Sequence, residues 1–323
     1  MTPKIIFMGS SEPGAITLQS LINSNFEVSM VLTRPYPKGA KSRKNIINPV
    51  KQLAKQYNLD VTEPHDLKAN VMKNLITGSG ADLAVVSSYG ILIPVDIMDL
   101  FKFGCVNIHP SILPKYRGPS PVVAAILNGD SITGVSIMSL DKGMDTGPIL
   151  AQKEIPITTK YTTPDLTSKL FHIGSELLIE TLPKLLNGAI KYQHQNNSKS
   201  TYTNFLRKED GNINWTNPAN QIANQIRAYI PWPGTYTYWK GQQLKILSAE
   251  TDDKFVGDQK PGQVLTSINK NIIPVVTSKG LLLVDKLQME GKNPLEAKEF
   301  LQGYPELIGD NLENSKNLGS KII

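Results

Sequence analysis

The residues best suited to chemistry fall in two short segments. The first is Asn107-Ile-His109, followed directly by Pro110-Ser-Ile-Leu-Pro-Lys-Tyr-Arg-Gly118. The apolar run from Cys105 to His109 reads as a strand. Asn107 and His109 are two positions apart on it, so their side chains share one face. They stand at its C-terminal end, where open α/β sheets hold their ligand chemistry. An uncharged amide beside an imidazole suits acyl transfer: the amide donates to a developing oxyanion and the imidazole carries a proton. A capped strand end with a structural histidine is the competing reading of this pair.

The second segment is Asp141-Lys-Gly-Met-Asp145-Thr-Gly147, between two expected strands. A carboxylate here can orient and charge an imidazole across the site. The alternative is a glycine-rich turn whose two aspartates bond their own backbone. A metal loop is disfavoured, because few further oxygen ligands cluster nearby. His65, His172 and His194 have no suggestive neighbours and read as surface or structural. Cys105, inside an apolar strand, reads as an inert core residue. No Gly-x-Ser-x-Gly elbow is present, which disfavours covalent nucleophilic catalysis. Gly9 to Gly14 is neither a Walker loop nor a dinucleotide fingerprint; it reads as a tight turn whose backbone N–H groups open a helix.

The elements that would position these residues alternate. Lys4–Met8, Val28–Thr33, Asp82–Ser87 and Cys105–His109 read as strands, with helices through Leu21 and over Pro49–Tyr57, Leu67–Ile76 and Pro119–Leu127. That alternation predicts an α/β fold, Rossmann-like, with a mostly parallel sheet covered on both faces. Gly134–Leu140 and Pro148–Ile155 add two later strands, and Thr163–Leu186 a long helix. After Gly188 the composition changes. Residues 190–203 are polar and read as a linker. Beyond them lie a short helix at Ala219–Ala228 and β-type runs at Thr235–Trp239, Gln243–Leu247, Gly262–Leu265, Ile272–Thr277 and Leu281–Leu287. Short strands without intervening helices predict a small β-barrel. A helix is expected at Pro294–Leu301, and the final dozen residues read as poorly ordered.

The chain of 323 residues and 35.5 kDa is long enough for two domains. With 40% apolar and 19% charged residues it is neither disordered nor a coiled coil. No apolar run spans a bilayer, no signal peptide is legible at the N-terminus, and one cysteine fits a reducing compartment, so a soluble cytoplasmic protein is expected. The net charge is +6. Residues 28–59 hold seven Lys and Arg and no acid, whereas residues 204–323 carry 14 cations against 13 acids. Any footprint for a polyanion is therefore concentrated early in the chain.

Taken together, Asn107–Gly118 and Asp141-x-Gly-x-Asp145-Thr-Gly147 resemble the signature of the formyltetrahydrofolate-using transformylases. Ser88-Tyr-Gly-Ile-Leu-Ile-Pro94 is similar to that family's pterin-side loop. Arg227-Ala-Tyr-Ile-Pro-Trp-Pro-Gly234, preceded by Asn212-Ile-Asn-Trp215, resembles the C-terminal domain of its methionyl-tRNA formyltransferase branch. The resemblance runs in order from about residue 4 to about residue 310.

It implies a catalytic trio of Asn107, His109 and Asp145, and a folate site at Ser111, Ile112, Leu113 and Pro114 with Tyr89, Gly90, Ile91 and Asp141. It implies 10-formyltetrahydrofolate as formyl donor, no metal, and an initiator methionyl-tRNA acceptor. Arg34, Lys38, Lys41, Arg43 and Lys44 are the expected tRNA contacts. Lys41 stands where the family loop carries its key arginine, with Arg43 two residues on, and Pro119-Ser120 replaces a pair of small alanines. The expected organisation is a catalytic domain over 1–189, a linker over 190–203, an OB-like tRNA-binding domain over 204–310 and a tail over 311–323, acting as a monomer with no membrane partner. A transformylase of a small amine such as a sugar nucleotide, a formylfolate hydrolase, and a non-catalytic RNA-binding module are the alternatives.

Overall fold

The computed structural model describes residues 3–35, 48–266, 269 and 271–314. Lys38, Lys41, Arg43 and Lys44 lie outside the described residues, as does the tail from residue 315 on. The first half comprises β1 (Lys4–Gly9), α1 (Glu12–Ile22), β2 (Glu27–Leu32), α2 (Pro49–Gln56), β3 (Val61–Thr62), α3 (Asn70–Gly78), β4 (Leu83–Ser87), α4 (Val95–Met98), β5 (Cys105–His109), α5 (Pro121–Leu127), β6 (Ile132–Ser139), β7 (Ile149–Pro156) and α6 (Thr163–Leu186). The second half follows with α7 (Ala219–Ala228), β8 (Thr235–Trp239), β9 (Gln242–Asp252), β10 (Ile273–Val276), β11 (Leu281–Met289), β12 (Leu295–Glu296) and α8 (Ala297–Gly303).

Seven strands form one sheet in the order β3-β2-β1-β4-β5-β6-β7. The pairings from β3 to β5 are parallel, whereas β6 and β7 join antiparallel. The order reverses between β1 and β4, and open α/β sheets bind ligands at the carboxyl ends of strands flanking such a reversal. β1, β4 and β5 are almost wholly apolar and buried, as strands covered on both faces must be.

α6 covers one face with Leu166, Leu170, Phe171, Leu178, Leu182 and Leu185. Its Gly174 lies so close to the sheet that a Cβ there would stand 2.8 Å from methyl groups of both Ile108 and Val135. That close approach fixes the height of β5 between Asn107 and His109.

In the second sheet, β10, β11, β9 and β8 run antiparallel in that order, with β12 on β11. Register shifts at Val284/Lys286 and Lys286/Leu287 bend β11 and curl the sheet into a half-barrel. Its core holds Trp215, Ile222, Trp239, Leu244, Leu282 and Phe300.

Several expectations are corrected at the edges of elements. α1 begins at Glu12, with Pro13 in its first turn, so Gly14 is inside the helix rather than in the turn before it. The helix expected from Pro119 starts at Pro121. Gly262–Leu265 forms no strand; Gln263 and Val264 make isolated bridges to Asn311 and Val275. The helix expected from Pro294 starts at Ala297, because Leu295 and Glu296 pair with β11 first.

By packing, residues Met1–Pro121, Ile132–Pro156 and Leu166–Thr203 form one unit, and Val122–Ser131, Ile157–Asp165 and Asn204–Ile323 another. Two short segments of the first half of the sequence thus belong to the second unit. No helix among the described residues is long and apolar enough to cross a membrane.

Candidate active site

β5 delivers Asn107 and His109 to the carboxyl edge of the sheet. Asn107 sits between Val86 of β4 and Met138 of β6, and its side chain makes no hydrogen bond to a described residue. His109 is 4% exposed. Its Nε2 lies 2.9 Å from the Tyr116 carbonyl oxygen. A carbonyl only accepts, so Nε2 carries a proton and donates it there. Nδ1 is left facing Asp145 Oδ2 at 3.7 Å, an ion-pair distance once the ring is protonated and too long for a hydrogen bond. Burial is the largest influence on the imidazole and lowers its pKa, while the Asp145 carboxylate and the Tyr116 carbonyl raise it. Burial thus favours the neutral ring, which with Nε2 protonated has its lone pair on Nδ1.

The loop after β5 is held rather than free. Tyr116 has φ 59, a conformation a bulky residue adopts only under external constraint. Residues 201–203 supply that constraint: Thr201 Oγ1 accepts the Tyr116 N–H at 2.8 Å, and the Arg117 backbone pairs with Thr201 and Thr203. Asp145 also has positive φ, 54, which aspartate tolerates better. Its Oδ2 accepts the Gly118 N–H at 2.7 Å, so the carboxylate that faces His109 is itself oriented. Gly147 makes the loop's return possible, since a Cβ there would stand 1.8 Å from the Ser139 carbonyl oxygen.

The expected folate residues are placed unevenly. The Ser111 hydroxyl donates to the Lys115 carbonyl, and Leu113 is buried against Met138 and Ile149. Ser136 and Gln152 bolt the backbone of Ser111 and Leu113 to β6 and β7. Ile112 packs on β6 at Gly134. Ser111, Ile112 and Leu113 therefore turn side chains into the protein, and what their segment can offer a ligand is largely backbone and Pro114.

Tyr89 is buried, its hydroxyl has no hydrogen-bond partner among the described residues, and burial pushes the phenol up to about 12. An orphaned buried hydroxyl needs a bound group or a water, so this loop suits a polar ligand. Gly90 beside it has φ 70 and is covered by the Arg34 guanidinium, with Nη1 2.8 Å from where a Cβ would be. Ile91 follows, packed against the cluster that includes Tyr89 and Ile93. Arg34, expected at RNA, thus lies against the loop expected at folate.

Asp141 is exposed and accepts from the Gly143 N–H at 2.9 Å and the Thr146 hydroxyl at 2.6 Å, the backbone-shaping role that was its alternative reading.

Residues 190–203, read as a linker, carry contacts that sequence gave no sign of. Gln193 pairs with Ile149, and Gln195, Asn197, Thr201 and Tyr202 all bond to the loop after β5 or to the Asp145 loop. A polar run without periodicity gives no signal of such contacts.

This chain of strand, imidazole, carboxylate and constrained loops, in a Rossmann-like sheet, has the groups that acyl transfer requires. Residues 3–182 match the formyl transferase family and residues 206–305 the formyl transferase C-terminal domain. Curated relatives named methionyl-tRNA formyltransferase include one from Roseiflexus castenholzii, 39% identical over 97% of this chain and 99% of its own length. Another, from Rickettsia bellii, is 40% identical over 93% and 97%. A third, from Coxiella burnetii, is 36% identical over 98% and 99%.

The fold is that of WlaRD, a sugar 3N-formyl transferase, with a TM-score of 0.65 and 22% identity, covering 91% of this chain and all of that one. HypX from Aquifex aeolicus, solved with tetrahydrofolic acid, gives a TM-score of 0.63 at 15% identity over 96% of this chain and 49% of that one. The architecture and the two matched domains define a formyl transferase, an enzyme that moves a one-carbon group. The chain belongs to the methionyl-tRNA formyltransferase family.

Proposed function

We propose that the protein transfers the formyl group of 10-formyltetrahydrofolate to the α-amino group of methionine on initiator tRNA, giving N-formylmethionyl-tRNA for translation initiation in the cytoplasm. The likeness to methionyl-tRNA formyltransferases along almost the whole chain carries the choice of acceptor. The chemistry follows from the site. The bond between the formyl carbon and the folate nitrogen breaks, a bond from that carbon to the α-amine forms, and one proton passes from amine to folate nitrogen.

An α-amine with a pKa of about 8 is already partly neutral near pH 7, so no protein nucleophile is needed. Asn107, whose amide makes no hydrogen bond among the described residues, donates to the oxyanion that develops on the formyl oxygen. His109 takes the amine proton on Nδ1 and returns it to the departing nitrogen. Asp145 stabilises the imidazolium between those events, and the Tyr116 carbonyl holds Nε2 throughout.

The donor rests against the Ser111–Pro114 segment and the Tyr89–Ile91 loop, with Asp141 shaping the floor of the Asp145 loop. Lys38, Lys41, Arg43 and Lys44 bind the acceptor stem, with residues 204–310 as the tRNA-holding domain of a monomer, while Arg34 lies against Gly90 of the Tyr89–Ile91 loop. The test offers the enzyme 10-formyltetrahydrofolate with methionyl-initiator tRNA, with an amino-sugar nucleotide, or with water alone. Formylmethionine released from the tRNA, and no comparable transfer to the sugar or to water, is the expected result. Preferred formylation of the sugar, or release of free formate, would overturn the proposal.

A further inference from the structure

Arg117 is 1% exposed, and its acceptors among the described residues are all uncharged. Its Nε and Nη2 donate to Gln195 Oε1 at 3.0 and 2.8 Å, Nη2 also to Asn197 Oδ1 at 2.8 Å, and Nη1 to the Tyr202 hydroxyl at 2.9 Å. A buried cation is tolerated only when such bonds are complete. Gln195 turns its other end the opposite way: Nε2 donates to the backbone carbonyls of Asp145 at 2.8 Å and Gly147 at 2.7 Å. The amide can stand in one orientation only, oxygen to guanidinium and nitrogen to carbonyls. Both ends of this one side chain are therefore spent on the two loops that carry the His109 partner and the Asp145 carboxylate.

From this geometry we infer that Gln195 is a positioning residue for catalysis, tying the loop after β5 to the Asp145 loop so that Asp145 keeps its place opposite His109 Nδ1. The inference rests on the function proposed above. Without Gln195 the Asp145 loop keeps its bond to the Gly118 N–H at 2.7 Å, but a residue at positive φ is deprived of both carbonyl anchors around it. The Asp145 carboxylate faces the His109 ring and raises its pKa against burial, so a displaced carboxylate is read directly by that ring. The Asp141 carboxylate is occupied by Gly143 and Thr146 and cannot replace it.

The experiment compares wild type with Gln195→Leu and with Gln195→Ala, whose smaller side chain leaves room for water at the Arg117 guanidinium if the Leu variant does not fold. Asn196→Ala is the control, because among the described residues the Asn196 side chain closes a local turn with Ser198 in the same segment. Formyl transfer to methionyl-initiator tRNA is measured together with the NMR titration of the His109 ring, one of four histidines. In the Gln195 variants kcat should fall roughly 10–10²-fold, the cost of a misplaced group, with KM for donor and tRNA unchanged. The His109 titration should move to lower pH in the same variants and stay put in the control.

A wild-type kcat, or a reduced kcat with an unmoved His109 titration, would show that Gln195 serves the fold alone. The titration needs no substrate. It still reads the role of Gln195 if wild type fails to formylate tRNA, an outcome that would count against the proposed function instead.

Discussion

The Tyr116 carbonyl oxygen, 2.9 Å from His109 Nε2, occupies that nitrogen and leaves Nδ1 as the one open to proton exchange. It holds the Nε2 proton in every protonation state, so proton traffic is confined to Nδ1. Asp145 faces that same nitrogen from 3.7 Å. The carbonyl is aimed by a tyrosine in the left-handed region, and strain of that kind costs about 1–3 kcal/mol. Thr201, from a segment far along the chain, helps to hold it there.

Asp145→Asn should move the acid limb of the kcat/KM profile to lower pH and lower its plateau. Burial already depresses the His109 pKa and the carboxylate opposes that effect. Removing the charge lets the pKa fall further, so the ring stays neutral to lower pH while Nδ1 becomes a weaker base. The substrate amine contributes the same limb to both enzymes and drops out of the comparison. A profile of unchanged height and shape would reduce Asp145 to a turn residue.

Gly174→Ala tests the seating of β5. Alanine in a helix gains about 1 kcal/mol over glycine in propensity, whereas overpacking a tight core costs about 1–3 kcal/mol. The approaches at 2.8 Å involve two methyl groups of the sheet, so the overpacking should win. Urea unfolding should show net destabilisation and formyl transfer should slow, because the insult lands on Ile108. A raised unfolding midpoint would mean that the helix moves aside at no cost.

The basic segment should govern binding of tRNA and not of folate. Replacing Lys41, Arg43 and Lys44 with Ala should weaken charged-tRNA binding and flatten its salt dependence, by about 0.7–0.9 in logarithmic slope for each phosphate no longer neutralised. Equal affinities and slopes at two salt concentrations would remove this segment from the interface. Arg34 belongs in a separate variant, since its guanidinium lies against Gly90.

Much of the fold and part of the site were legible in the sequence, and the physical reason differs from part to part. Strands such as Cys105–His109 and the helix over Thr163–Leu186 announce themselves by apolar runs and periodicity, and they fell where those patterns put them. Asn107 and His109 were visible because a period of two places them on one face of a strand whose end is marked by proline. The two residues of β3 and the four of α4 are too short to carry a period. Arg117 and Gln195 were invisible for another reason. A buried arginine paired to an amide 78 positions away leaves no local pattern, and a polar run reads alike whether it is solvated or clamped.

The roles of His109 and Asn107 are tested most directly by single-turnover formyl transfer to methionyl-initiator tRNA in His109→Ala and Asn107→Ala, with donor and acceptor both saturating. Loss of a proton carrier should slow His109→Ala by roughly 10²–10⁴-fold. Loss of an oxyanion donor should slow Asn107→Ala by roughly 10²–10³-fold. Binding of folate and tRNA should be retained in both. A wild-type rate in either folded variant would contradict the proposed mechanism.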